Sequence, residues 1–598
     1  MNSLRDQRVL VLGLGHSGLA MARWCAGCGA QVTVWDSRAE PPQAAALREA
    51  LAEVLLLSGE LAVERAAEWS LILKSPGLAP HDERIAPLLA AARAAGIRVA
   101  GELDLFALAL ADLKAARGYQ PKVVAITGTN GKTTTTALAS LLIERSGRRV
   151  ASAGNIGPTM LDTLAAALAL EPVAAEEQAA AELPLPPGRG KVGMGVECGD
   201  AALSPPPQPS PYKGEGAGPE PEATAAPDDD AALITLAPPL PAAPVFTHLP
   251  EVWVLELSSF QLDGVQGFEP DAAVVLNVTQ DHLDWHGSMA AYAAAKSRVY
   301  GPVNDTGDVQ HNSATLMVIN RDDLMVEAMV PASLMVKGGR GRAAKSVGRK
   351  VVRFGLDGPQ RPGDYGLVTE NGMTWLVRAM QADETIKRRQ AEDDEIHLQR
   401  LMPADALRIR GRHNAANALA ALALAQAIGC ALAPMLHALR QYRGEPHRVE
   451  LVARIGEVEA FDDSKGTNVG ATVAALNGLG QDRSPSQLVV ILGGDGKGQD
   501  FAPLLVPITR YVRAVALIGR DAGLIETALA GCGATMQHHD SLQAATAWAF
   551  AQARSGDAVL LSPACASLDM FRNYGHRAEV FVAAVQAQAA ERGEVLVA

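Results

Sequence analysis

An α/β fold with largely parallel sheets is predicted by three features of this 598-residue chain. Short β-rich runs alternate with alanine-rich helical stretches nearly throughout. The runs lead into Gly, Ser, Asp or Asn, residues that turn a strand into a loop or cap the next helix. With 48% apolar and 20% charged residues, the chain can also bury several sizeable cores, and its length fits two to four domains.

The strand candidates, in order, are RVLVLG from Arg8, QVTVWD from Gln31, LILKSPG from Leu71, KVVAITG from Lys122 and VWVLELS from Val252. AAVVLNV from Ala272, LVVILGG from Leu488, AVALIG from Ala514 and AVLLSPA from Ala558 complete the set. In parallel sheets of this kind ligands gather at the carboxyl ends of strands. The unusual sequences do sit there.

Two segments break the alternation. Between Glu171 and Thr247 lie 16 of the 36 prolines and the acidic run Asp228 to Asp230, a composition expected to form a disordered insertion. The mixed-charge stretch from Ala382 to Gln399 reads as a solvated excursion. The longest uncharged stretch, Asn414 to Leu436, is alanine-rich and carries Asn417, Gln426 and Pro434, so it is expected as a buried helix and not a membrane span.

Lys plus Arg number 53 and Asp plus Glu 66, a net charge of −13. That balance speaks against a dedicated nucleic-acid binder, while leaving room for anionic ligands held by backbone amides. Six cysteines are too few for a disulfide scaffold in a chain of this length, which points to a reducing cytoplasm. The opening residues read as a strand and helix, not a secretory signal.

Gly13, Gly15 and Gly18 follow the first strand, and Asp36 ends the second, in the dinucleotide-fingerprint pattern. Plain tight strand–helix packing would give the same pattern. Cys25 and Cys28 imitate a redox motif, but deep in a helix their expected role is packing. The run from Val123 to Thr135, VVAITGTNGKTTT, is sharper. A buried strand feeds a glycine-bearing loop, then Lys132 and Thr133 at a helix start. Loop amides and the helix dipole can cradle phosphates, Lys132 adds a point charge, and Thr133 can bind Mg²⁺. Ile126 stands where the usual motif has its first glycine. Glu256 ends a strand near that loop, and acids with His282 end the next, making metal or substrate ligands of both. Lys296 falls in a helical pattern. Asn414 and Asn417 share a helix face, and Gly-rich or Ser-rich loops follow at Asp463–Asn468, Gly493–Gly498 and Ser562–Asp569. Together these describe an ATP-dependent enzyme whose cleft joins a phosphate loop to basic residues of a later α/β unit.

In order along the chain, GLGHSG at Gly13, ITGTNGKTT, VLELSSFQL, NVTQDHLDWH, DDSKGTN, GGDGKGQDF and SPACASLDMFRN resemble the Mur ligases, and jointly their D-glutamate-adding members. The resemblance implies three domains. These are a Rossmann-like UDP-sugar domain (1–100), a central P-loop ATPase-type domain (101–445, with the insertion at about 171–247) and a Rossmann-like amino-acid-binding domain (446–598). It implies ATP-dependent amide ligation of D-glutamate to UDP-N-acetylmuramoyl-L-alanine through an acyl phosphate, in the cytoplasmic synthesis of peptidoglycan precursors.

By the same carry-over, Gly128, Thr129, Asn130, Gly131, Lys132, Thr133, Thr134, Asn414, Asn417, Arg448 and Asp463 bind ATP. Ser17, Asp36, Ser37, Arg38, Ser75, Gly77 and Asn155 hold the UDP-sugar. Lys465, Thr467, Lys497, Ser567 and Tyr574 hold D-glutamate, and Tyr574 departs from the Phe of some relatives. Thr133 and Glu256 would serve one Mg²⁺. His282 and Lys296, the latter as a carbamate formed with CO₂, would serve a second. Lys132, His282 and Lys296 are thus the catalytic candidates. The partners implied are small molecules only, with no nucleic acid, no membrane insertion and a monomeric chain. A sibling ligase, a non-catalytic nucleotide sensor and an NAD-dependent oxidoreductase are the alternatives; the last leaves the phosphate loop without a purpose.

Overall fold

The structure is a computed structural model that describes residues 3–172, 245–303, 309–310, 313–336, 345–381, 396–481 and 485–593. All nine predicted runs are strands, and three sheets order them. The first has five parallel strands in the order Leu55–Leu57, Gln31–Trp35, Arg8–Leu12, Leu71–Lys74, Arg98–Ala100. The order reverses beside Arg8–Leu12, and the Gly13 loop opens at that switch point.

A nine-stranded sheet forms the middle. Lys122–Thr127 lies between Val252–Glu256 and Ala272–Val275, all parallel, so the phosphate loop and the Glu256 and Asn277 turns emerge side by side. These strands are buried on both faces, as expected when helices cover a parallel sheet. Helices Lys132–Arg145 and Arg412–Ala427 pack on one face around Leu138, Leu142, Leu419 and Leu422. The predicted buried helix is therefore Arg412–Ala427, with a second helix at Leu432–Leu439 beyond a break at Ile428. Among the described residues no helix is long and apolar enough to cross a membrane.

The third sheet has the order Glu450–Ile455, Val458–Asp462, Ala558–Leu561, Leu488–Gly493, Val512–Ile518, Thr535–His538, parallel except for its first strand. Asp463 and Ser562 follow adjacent strands there, which is why two loops distant in sequence share one pocket.

Some expectations change. Ile396 to Gln399 were assigned to an excursion but belong to the strand Ile396–Pro403, paired antiparallel with Met373–Gln381; residues 382–395 lie outside the described residues. Of the proline-rich segment, residues 173–244 lie outside them too, but both of its expected ends are ordered. The Glu171 carboxylate accepts the backbone N–H groups of Thr247 (3.1 Å), His248 (2.5 Å) and Leu249 (2.5 Å). Burial alone would raise that carboxyl, yet the three amides hold it below its ordinary value. Cys25 behaves as a packing residue: burial pushes its thiol up to about 12, far from a reactive thiolate.

Because Glu171 brings both ends of the segment together, a short linker can replace 173–244. A variant with about six Gly/Ser residues there is expected to unfold cooperatively within about 3 °C of the parent. Glu171→Ala in the same background is expected to lower the midpoint further. Calorimetry checks both, and loss of a cooperative transition in the linker variant would show that the segment carries part of the fold.

Candidate active site

The phosphate loop is pinned from below. Thr129 N–H donates to Asn277 O (2.9 Å), Asn130 N–H to Asn277 Oδ1 (2.8 Å), and Thr279 N–H to Thr129 Oγ1 (3.0 Å). The strand pair Lys122–Thr127 and Ala272–Val275 thus delivers the loop and its support together. Gly131 has φ +86°, and a Cβ there would lie 2.6 Å from Asn417 Oδ1, so a side chain would be both strained and blocked. Asn417 Nδ2 donates to Asn414 Oδ1 (3.1 Å), and Asn414 Nδ2 to Arg410 O (2.8 Å); both asparagines face the loop from one helix, as predicted.

Lysine ammonium groups converge at the loop's mouth. Lys132 Nζ donates to Gly128 O and Thr129 O, each at 2.9 Å. Lys296, 1% exposed, donates to the same Gly128 O at 2.9 Å and lies 4.4 Å from the Tyr292 ring centroid. Burial, then the charge of Lys132, holds the Lys296 amine well below the usual lysine range, against the pull of Asp281. Burial likewise lowers Lys132, helped by Arg448 and opposed by Glu256 and Asp281. Lys465 is lowered by burial, Arg448 and Lys132, with Glu256 and Glu445 opposing. Lys497 is exposed and takes a left-handed turn, yet its charge lowers His282, after burial and against Asp281. These groups stand close enough to feel one another.

The third sheet closes the site from the opposite side. Arg448 Nη2 donates to Thr133 Oγ1 (2.8 Å), while its buried Nε has no hydrogen-bond partner among the described residues. Asn130, Gly131, Thr134, His413, Asn414, Asn417, Arg448 and Asp463 share a cavity of about 60 Å³ with the first turns of the helix Val469–Gly480. His413 was not singled out from the sequence; burial holds its imidazole at about 4, neutral, with Nδ1 unpartnered among the described residues.

Asp463 is buried and accepts Ser562 Oγ at 2.6 Å. Lys465 Nζ lies 5.5 Å from the Tyr574 ring centroid, and Ser567 is buried at the turn before Met570 and Phe571. Thr467 N–H donates to Lys465 O (3.0 Å). Arg577, fully buried, was also missed. It donates to Ser464 O (2.8 Å) and Cys565 O (3.2 Å), tying together the loops that carry Lys465 and Ser567.

The predicted metal ligands each meet another part of the site. Thr133 faces Arg448, Glu256 Oε1 accepts Asn155 Nδ2 (3.0 Å), and His282 sits beside Asp281 with its ring 4.6 Å from that of Phe260. Glu256 is 3% exposed and has no cation within ion-pair distance among the described residues, so a cation is the group that would offset its burial. The one compact His/carboxylate group among the described residues is elsewhere, at His447, Glu450 and Asp462, and its members bond to each other.

At the first sheet Asp36 turns inward. Its oxygens accept Leu14 N–H (2.7 Å), Arg38 N–H (2.9 Å) and both arms of the Arg38 guanidinium (2.8 and 2.7 Å). Burial alone would raise this carboxyl, but Arg38 and the amides bring it down to about 2. Its stabilising effect is therefore full above the ordinary carboxylate range and fades only as pH falls toward 2. Asp36 shapes the glycine loop, with Ser75 Oγ donating to Gly13 O (2.8 Å). Ser17 donates to Glu102 (2.6 Å), Ser37 accepts from Arg84 (2.9 Å), and Gly77 is exposed. Asn155 does not join them; it lies at Glu256, on the nucleotide side.

A phosphate loop, a ring of cations and a cavity walled by two α/β units define a nucleotide-dependent enzyme of the kind that works between domains. The chain matches the Mur ligase MurD-like N-terminal domain over residues 7–101, the Mur ligase middle domain over 245–425, and the glutamate ligase domain of Mur ligases over 447–565. The UDP-N-acetylmuramoylalanine–D-glutamate ligase of Albidiferax ferrireducens is 53% identical over 595 residues, 99% of this chain and 98% of that one. The ligase of the same name from Polaromonas sp. is 46% identical across 100% of both chains. A solved UDP-N-acetylmuramate–alanine ligase from Thermotoga maritima is 16% identical, with a TM-score of 0.47 over 98% of this chain and 100% of that one. The chain belongs to the Mur ligase family.

Asp463 gives a pH test. Burial, with Asp462 adding, raises its carboxyl to about 7 against the pull of Ser562 and Arg448. Between its ordinary value and about 7 the folded chain holds a proton that the unfolded chain releases, so its contribution to stability declines as pH rises through that window. Asp463→Asn is expected to raise Tm by about 3 °C or more at pH 8 and to change it little at pH 4.5. Equal shifts at both pH values in calorimetry would contradict this.

Proposed function

We propose that the chain joins the amine of D-glutamate to the L-alanyl carboxyl of UDP-N-acetylmuramoyl-L-alanine, converting ATP to ADP and phosphate, in cytoplasmic peptidoglycan precursor synthesis. The observation that carries this reading is the phosphate loop whose Gly128 carbonyl takes both Lys132 and Lys296 while Arg448 donates to Thr133 from the opposite side, the Arg448 charge helping to lower Lys132 and Lys465 and that of Lys132 helping to lower Lys296. The ligase named for D-glutamate from Albidiferax ferrireducens, at 53% identity, supports the choice of amino acid. Division of the chain near residues 100 and 445 into UDP-sugar, ATP and amino-acid domains goes with it. So does a monomeric enzyme, since one chain supplies both walls of the cavity.

A carboxylate is a poor electrophile, so its oxygen first attacks the γ-phosphorus of ATP and ADP departs. The acyl phosphate is then attacked by the unprotonated amine, and the tetrahedral adduct expels phosphate to leave the amide. Lys132 and the Gly128–Thr134 amides hold the phosphates. Asn414, Asn417 and Asp463 take the nucleoside side, and the unpartnered Nε of Arg448 offers a further donor to phosphate oxygen. Lys465, Lys497, Thr467, Ser567 and Tyr574 bind the two carboxylates of D-glutamate. Ser17, Asp36, Ser37, Arg38, Ser75 and Gly77 orient the UDP end, while Asn155 steers the far end of the substrate toward Glu256.

The chemistry of the donors suits Mg²⁺. Thr133 and the buried Glu256, which has no ion-pair partner among the described residues, would hold one ion, and His282 with Lys296 as its carbamate a second. Bound there, Mg²⁺ supplies charge that offsets phosphate repulsion. The buried, depressed Lys296 amine is available in the neutral form that CO₂ requires. Walls from two domains exclude water from the acyl phosphate.

Phosphate release should be measured with Mg²⁺-ATP and UDP-N-acetylmuramoyl-L-alanine, comparing D-glutamate with L-glutamate, L-alanine and diaminopimelate. Release is expected with D-glutamate alone, with the amide confirmed by mass; dependence on another amine would move the chain to a sibling activity. Lys296→Ala is expected to lose at least about 100-fold in kcat and to recover in part with bicarbonate and a short carboxylic acid. Undiminished turnover of that variant would remove the carbamate from the scheme.

A further inference from the structure

We infer that Asn468 is a positioning residue that latches the amino-acid-binding side of the site onto the phosphate loop. It precedes the helix Val469–Gly480 and caps it by accepting Ala471 N–H at 2.8 Å. The same side chain also reaches across the cavity. Its Nδ2 donates to Asn130 Oδ1 (3.2 Å) and to Asp281 Oδ2 (3.4 Å), and its Oδ1 accepts Asn130 Nδ2 (3.4 Å). Asn130 lies in the phosphate loop and Asp281 precedes His282, so one buried amide ties together three parts of the site.

Two more observations belong to the same contact. A Cβ on Gly470 would stand 2.8 Å from Thr279 Oγ1 and 3.1 Å from Asn130 Nδ2, so a larger residue would hold the helix away from the loop. Val469 N–H donates to Gln499 Oε1 (3.0 Å), and Gln499 Nε2 to Gly496 O (3.0 Å), which extends the connection to the loop bearing Lys497. The first turn of this helix therefore registers the acceptor loop against the nucleotide loop. Only asparagine satisfies every contact at position 468. An acceptor alone caps the helix, while the pairing with Asn130 and Asp281 needs a donor on the same group.

The inference rests on the proposed ligase reading for its kinetic arm alone. Asn468→Asp keeps the capping acceptor and the size, removes the donor, and sets a second carboxylate against Asp281. Asn468→Ser keeps a cap but is too short to cross. Both variants of the full chain are expected to unfold within about 3 °C of the parent. In the D-glutamate assay kcat is expected to fall about tenfold or more, with KM for UDP-N-acetylmuramoyl-L-alanine unchanged because that ligand's uridine end binds elsewhere. Small-angle scattering supplies the second arm. With a non-hydrolysable ATP analogue and Mg²⁺, the parent is expected to be compact and both variants more expanded. A parent without ligase turnover would sink the functional reading and leave the scattering arm to judge the latch. Variants with kcat within twofold of the parent and the same radius of gyration would overturn it.

Discussion

Two lysine side chains donate to one carbonyl oxygen, that of Gly128, and much of the molecule can be understood from that crowding. Two unit charges about 5 Å apart repel by ~3 kcal/mol at an effective dielectric near 20, and burial of Lys296 removes the water that would soften it. The protein lowers the repulsion by favouring the neutral Lys296 amine. Tyr292 packs its ring beside that amine, while Asp281 and Glu256 supply negative charge at a distance. An anion bound beside these cations would offset the remaining repulsion, and the polyphosphate of a nucleotide is such an anion.

The same crowding gives meaning to the division of the site between sheets. Arg448 helps to lower both Lys132 and Lys465, and Lys132 lowers Lys465 as well, so a bound phosphate would offset like charge brought from both sheets. Shape matters too: the loop glycine must admit Asn417 from a helix on its own sheet, and the helix Val469–Gly480 must approach without a side chain in the way.

Much of this was legible in the sequence, for physical reasons. Buried parallel strands are continuous apolar runs, and all nine were recognisable. The phosphate loop and the paired Asn414 and Asn417 carry their chemistry in a local pattern. Other features have no local signature. The antiparallel pair Met373–Gln381 and Ile396–Pro403 lies against a mixed-charge stretch that masks its alternation. Asp36 matches a ribose ligand by position, but its orientation depends on Arg38 and Leu14 and proves to be inward. Glu171, Asn468 and Arg577 act through partners distant in sequence, Thr247, Asn130 and Ser464 among them, a separation that no periodicity encodes. Asn468 alone left a trace, as a capping residue before an apolar helix.

The buried guanidinium of Arg577 has a consequence for the making of the protein. It stands in the helix Tyr574–Glu591, yet it holds the backbone of Ser464 and Cys565, whose loops carry Lys465 and Ser567. During synthesis the first sheet, whose strands end at Ala100, can be completed early, and the phosphate loop once Asn277, Thr279 and Asn417 have followed it. The tie between the Ser464 and Cys565 loops has to wait for a residue translated more than a hundred positions after Ser464. A ribosome-bound chain can thus form its phosphate loop before those two loops are held together.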